Sequence, residues 1–174
     1  MACTQTLSGI SASCETNVGG IREVYICNFG EVESYEVDAT THLIDTITMA
    51  SGKKFQKYCF KKNTSSLTST LNVDPANGVN FVQTDLNMVF AKQDTTKRME
   101  IAALSLGEVT VIVLDANGKY WGFGFDEFAA ATAGTAETGV NRTDGNKYTI
   151  TISAYEASYP YEVDANIIAG LLAS

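Results

Sequence analysis

Few residues in this chain have the types and spacing that chemistry needs. There is one histidine, His42. A two-histidine metal site or a histidine relay would have to be built around that residue alone. Cys3, Cys14, Cys27 and Cys59 stand far apart, and none forms a C-x-x-C pair. That spacing argues against a zinc ribbon or a thioredoxin-type motif, so the four read as reduced, structural thiols. Asp115, Asn117, Asp126 and Glu127 flank one turn and are oxygen donors. They miss the EF-hand order, and Asn117-Gly118 is explained as a turn. Tyr120, Trp121, Phe123 and Phe125 form a dense aromatic run. It reads first as a core strand, with a stacking platform for a sugar or base as the sharper alternative. No phosphate loop, G-x-S-x-G elbow or complete dinucleotide fingerprint occurs. The expectation is a protein with no catalytic residue, no metal and no cofactor.

The elements that would position these residues are mostly strands. Ile21–Asn28 and Phe55–Lys61 are rich in β-branched and aromatic residues, and Glu33–Ala39 is expected to pair with the first of them across Gly30. Residues 40–54 fit neither period and read as a loop with a short strand. Leu67, Ser69, Leu71 and Val73 alternate with polar residues, as do Val82, Thr84, Leu86, Met88 and Phe90. Between them Asp74-Pro75-Ala76-Asn77-Gly78 is a turn cluster. Glu108–Leu114 and Lys119–Phe125 flank Asn117-Gly118 as a β-hairpin. Gly122 and Gly124 in its second strand predict a bulge or a close backbone approach. Residues 129–139 read as a strand edge plus a long loop. Lys147–Ala154 alternates again after the Asp144-Gly145-Asn146 turn.

One helix is expected over Asp94–Leu106, capped by Asp94 or Thr95. Its apolar stripe is Met99, Ala102, Ala103 and Leu106, and Gly107 ends it in the left-handed conformation. Asp164 is placed to cap a last helical turn carrying Ile167, Ile168, Leu171 and Leu172. The predicted fold class is mainly β: an antiparallel β-sandwich or barrel with one flanking α-helix. Residues 1–20 read as an extended arm, 21–163 as one domain, and 164–174 as a short C-terminal segment.

The balance of 12 Lys and Arg against 20 Asp and Glu gives a net charge of −8. A chain this acidic is poorly suited to wrap nucleic acid, which needs a basic surface. Hydrophobic residues at 45% against 18% charged exclude wholesale disorder. No secretory signal and no run long enough to span a membrane are recognised.

The stretch Asp115–Gly124, the segment Ala133-Gly134-Thr135-Ala136-Glu137-Thr138-Gly139 and the strand Asp144–Ile152 together resemble the β-rich major tail, or tail tube, proteins of tailed bacteriophages. Ile47–Lys54 and Ser66–Asn80 also look like structural proteins of phages infecting Bacteroides-type bacteria, including crAss-like phages. The resemblance covers about residues 21–163. It implies a virion structural protein that self-assembles into rings, commonly hexameric, stacked into a tube through which DNA passes. The implied partners are other copies of the chain and other tail proteins, with DNA as cargo only. The implied location is the virion tail, assembled in the host bacterial cytoplasm. The alternatives are a related ring, terminator, baseplate-hub or head-decoration protein, or a carbohydrate-binding β-sandwich. Ile44, Ile47, Met49, Ile167, Ile168, Leu171 and Leu172 are the expected assembly contacts, because apolar residues in loops and at a terminus leave a patch to be covered.

Overall fold

The computed structural model describes residues 7–173. Eleven strands form one sheet, flanked by two helices. In chain order the strands are β1 (Ile21–Asn28), β2 (Val32–Val37), β3 (Ile44–Met49), β4 (Gln56–Cys59), β5 (Ser66–Asp74), β6 (Val79–Ala91), β7 (Glu108–Asp115), β8 (Tyr120–Phe123), β9 (Ala129–Glu137), β10 (Lys147–Glu156) and β11 (Tyr161–Val163). Helix α1 (Thr95–Leu104) joins β6 to β7, and α2 (Ala165–Leu171) follows β11. The main strand order is β2-β3-β11-β8-β7-β9-β10-β6-β5. All pairs are antiparallel except the single β11–β3 contact between Val163 and Ile44. The predicted class, mainly β with a flanking helix, is what the chain adopts.

β7 explains how one sheet encloses a core. Along one edge it pairs with β1. Along the other, Val111–Leu114 pair with β8, while Glu108 and Val109 pair with β9. The sheet therefore splits at β7 and folds over itself, so β7 is buried on both faces. Its run VTVIV is continuously buried, as a central strand covered on both sides should be. One core lies on the Val24, Ile26, Val111 and Val113 face, against Leu86, Met88, Ile150 and Ile152 of β6 and β10. The other lies on the Tyr25, Cys27 and Ile112 face, against Ile44, Phe55, Val163, Ile168 and Leu171.

Several expectations hold in detail. Val82, Thr84, Leu86 and Met88 are buried on one face of β6. The β7–β8 hairpin turns at Ala116-Asn117-Gly118, with Gly118 at φ +88° and its N–H donating to the Asp115 carbonyl. Asp94 caps α1 by accepting the Lys97 N–H at 2.8 Å, and Asp164 caps α2 through the Asn166 N–H at 2.9 Å.

Other expectations are corrected. Glu33–Ala39 does not pair with Ile21–Asn28: a 3-10 turn at Phe29–Glu31 carries the chain away, and β2 pairs with β3 while β1 pairs with β4 and β7. The strand expected at the start of residues 129–139 runs as far as Glu137, paired along β10, so the loop begins later than expected. The inward side of α1 is Lys97, Ile101 and Leu104, spaced i, i+4, i+7. Met99 and Leu106 are 63% and 90% exposed, because the helix stops at Leu104 and its rotation is set by Leu104 entering the core. Gly107 does not take a left-handed φ.

The aromatic run changes face at Gly124. Phe123 enters the first core, and alternation would send Phe125 after it. Gly124 instead sits at φ +76°, and Phe125 swings to the second core. There it lies over Gly122, where a Cβ would stand 2.6 Å from the Phe125 ring. A Cβ on Gly124 would meet the Val109 carbonyl at 2.8 Å. The two glycines thus allow the chain to turn the corner from β8 to β9, as the close-approach reading of this pair requires.

Candidate assembly surfaces

Among the described residues three strands, β2, β4 and β5, have an edge with no strand partner at all, and β9 is unpaired on its β7 side beyond Ala130. An open edge is a row of unpaired N–H and C=O groups, and monomeric proteins blunt it with charge, shortness, proline or bulges. β2 carries Glu33 and Glu36 and has register shifts against β3. β4 has only four residues and carries Lys57. β5 has nine residues in unbroken register with β6, and its only charge is the terminal Asp74. It therefore lacks the devices the other two have.

The same hairpin leaves apolar side chains uncovered. Leu67, Ser69, Leu71 and Val73 share the inward face of β5, opposite Leu86, Thr84, Val82 and Asn80. Leu67 packs on the first core, but Leu71 is 46% and Val73 57% exposed. The core ends near Val82, and the β5–β6 tip extends beyond it. Its turn is held by Asp74, which accepts the Ala76 and Asn77 N–H groups at 3.0 and 3.3 Å. On the opposite face Val79, Tyr155 and Tyr159 are also exposed, and Phe81 stacks against Tyr155.

The outward face of β5, β6, β10 and β9 is a carpet of hydroxyl and amide groups around Asp85. Gln83 donates to both Asp85 carboxylate oxygens at 3.1–3.2 Å, and Ser153 donates at 2.5 Å. Ser153 is joined to Thr132 at 2.8 Å. Across these four strands Lys147 is the only cation.

Glu156 lies buried at the end of β10. One carboxylate oxygen accepts the N–H groups of Gly124 at 2.9 Å and Phe125 at 3.2 Å. Burial pushes its carboxyl above the usual glutamate value. The backbone donors, Asp126 N–H among them, act against that, and the Asp126 charge adds to it. Thr110 secures the same corner by donating to the Gly124 carbonyl at 2.8 Å. Tyr35 donates to Asp126. This is a clasp on the β8–β9 corner, which the Gly122/Gly124 pair requires.

The expected assembly contacts are mostly used inside the chain. Ile44, Ile168 and Leu171 are buried in the second core, with Ile47, Met49, Ile167 and Leu172 packed half-buried around it. The Phe55 N–H donates to the Leu171 carbonyl, and the Phe55 carbonyl accepts from Ala173, which fixes the C-terminal segment to the sheet. Residues 164–173 are part of the domain, not a free patch, and Ile44, Ile47 and Met49 lie on β3. The β5 edge was missed because strand order, unlike strand identity, is not written in local periodicity.

The other candidate groups are dispersed. His42 is exposed in a loop, where its N–H donates to the Asp38 carbonyl. Asp115 accepts from the Lys119 N–H and the Trp121 indole, Asn117 bonds residues 17 and 18, and Asp126 holds Tyr35. Among the described residues no three of these side-chain types gather as a metal site. Cys14 and Cys59 are exposed free thiols, and Cys27 is a buried one whose pKa burial, with nearby Glu31, pushes up to about 12. Cys3 lies outside the described residues. Among the described residues no helix is long and apolar enough to cross a membrane.

The fold and its surfaces define a mainly β protein with open strand edges. No family model, curated protein or solved structure matches the chain.

Proposed function

We propose that this chain is a self-assembling structural subunit, and that its assembly is a ring that stacks into a phage tail tube. The observation that carries the assembly part is β5, a nine-residue edge strand whose only charge is the terminal Asp74, next to uncovered Leu71 and Val73. A strand of this kind favours pairing with another chain, and a second copy is the partner always present at high local concentration. The resemblance of residues 115–152 to tail tube proteins supplies the ring and tube. Two further features agree with that reading. The outward face of β5, β6, β10 and β9 offers DNA a single cation, Lys147. With the net charge of −8, a lumen lined by this face would let a polyanion pass without gripping it. The described part of the N-terminal arm, residues 7–20, is exposed throughout, and burial against a neighbour would return the entropy cost of ordering it.

Negative-stain electron microscopy of the purified protein tests the reading. Rings of uniform diameter, or tubes at high concentration, are expected. A protein that stays monomeric at high concentration and under tube-promoting conditions would refute it. Retention of a monomer on a polysaccharide column would favour the carbohydrate-binding alternative.

A further inference from the structure

We infer that the groove between β4 and α1 takes residues 9–16 of a second copy of this chain as an added strand. The inference rests on the self-association reading above and names one of its contacts.

The groove is about 460 Å³ in volume. Its floor is Tyr58, Phe90, Ile101 and Leu104, with Lys57, Lys97 and Glu100 at the rim, and the Tyr58 hydroxyl donates to Glu100, a bond an incoming strand has to pass or replace. One wall is the open edge of β4. Phe55 turns its N–H and C=O away from β1, toward Leu171 and Ala173, at 2.9 and 3.0 Å. Strand alternation puts the N–H and C=O of Lys57 and Cys59 on that same edge. Among the described residues these groups meet no backbone partner. A strand edge beside an apolar floor is what β-strand addition uses: backbone bonds supply affinity, and alternate side chains fill the floor.

The arm has matching properties. Residues 9–16 are exposed at every position and make no backbone–backbone hydrogen bond. Ile10, Ala12 and Cys14 alternate with Ser11 and Ser13, so an extended arm presents one narrow apolar face. Small residues at 12 and 14 suit a floor roofed by a helix. Glu15 is the only charged residue in the first twenty-one, so little charge has to be desolvated.

The routing of the arm points to another copy's groove, not its own. Asn117 accepts the Val18 N–H at 2.8 Å and donates to Asn17 at 3.2 Å. The Gly20 carbonyl accepts the Ala116 N–H at 2.9 Å. These bonds tie the root of the arm to the β7–β8 turn. β7 and β4 flank β1 on opposite sides, so the arm leaves on the side away from its own β4.

Cys14 in the arm and Cys59 on β4 are both exposed thiols and serve as probes. Full-length Cys3→Ser protein, mixed as light and heavy-isotope copies, is treated with a short bis-maleimide and mapped by mass spectrometry. Sedimentation velocity is run on the same sample. The expected result is a Cys14–Cys59 link joining light to heavy chains in assembled material, lost on Ile10→Asp while circular dichroism is unchanged. Assembled protein with no such link, or with the link only within one isotope, overturns the inference and leaves the assembly reading standing. Protein that is monomeric throughout overturns both.

Discussion

Replacing Glu156 tests whether the β8–β9 corner is held as the structure has it. Its Oε1 accepts two backbone N–H groups, from Gly124 and Phe125, in a buried setting. In Glu156→Leu both donors lose their partner, at about 1–3 kcal/mol each. Relief from burying a carboxylate offsets part of that, so the net loss is about 2–5 kcal/mol. Glu156→Gln keeps an acceptor oxygen and should cost about 1 kcal/mol or less at neutral pH. The two variants also differ in pH dependence. Burial raises the Glu156 carboxyl in the folded state, so the folded state binds more protons than the unfolded one between the ordinary and the raised value. Stability therefore falls as pH rises through that window, and Glu156→Gln loses this slope. Urea unfolding followed by the fluorescence of Trp121, the single tryptophan, measures all three proteins from pH 4 to 8. Equal stability of wild type and Glu156→Leu would refute the clasp. A loss in Glu156→Gln as large as in Glu156→Leu would refute the assignment of the oxygen as the part that matters.

Other positions give sharp contrasts. Leu104→Ala should cost about 2–5 kcal/mol as a core truncation, whereas exposed Leu106→Ala should stay within about 0.5 kcal/mol; urea unfolding of the pair decides which stripe of α1 is buried. Gly124→Ala combines a left-handed φ with a Cβ 2.8 Å from a carbonyl and should lose more than Gly78→Ala, which is left-handed but in open space; equal thermal shifts would contradict the corner. Removing residues 1–16 should leave the unfolding midpoint of dilute, monomeric protein unchanged, since residues 7–16 are exposed within their own chain. Removing 165–174 deletes buried Ile168 and Leu171, worth roughly 4–10 kcal/mol together, and should abolish cooperative unfolding by circular dichroism.

What the sequence made legible was local. The β5–β6 and β7–β8 turns, the alternation of β6 and β10, and both helix caps depend on residues within a few positions of one another. The partners of β1 lie on β4 and β7, and no local signal ranks them above the adjacent β2. The stripe of α1 was misread because two apolar stripes fit the same stretch, and contact with Val109 and the first core chooses Ile101 and Leu104. The face change at Gly124 depends on a positive φ that alternation does not register. Ile168 and Leu171 looked like a free patch because their cover, Phe55 and Ile44, is far away in the chain. The β5 edge depends on strand order, which is a property of the whole sheet.

The central claim is that the β5 edge joins one copy to the next. Sedimentation velocity over a concentration series, comparing wild type with Leu71→Lys and Val73→Pro, tests it most directly, because the odd-numbered β5 residues turn their N–H groups away from β6. Lysine covers the exposed apolar site with charge, and proline removes a donor from the strand. The account predicts large assemblies for the wild type and folded monomers, by circular dichroism, for both variants. A wild type that sediments as a monomer at every concentration, or variants that assemble as it does, would contradict it.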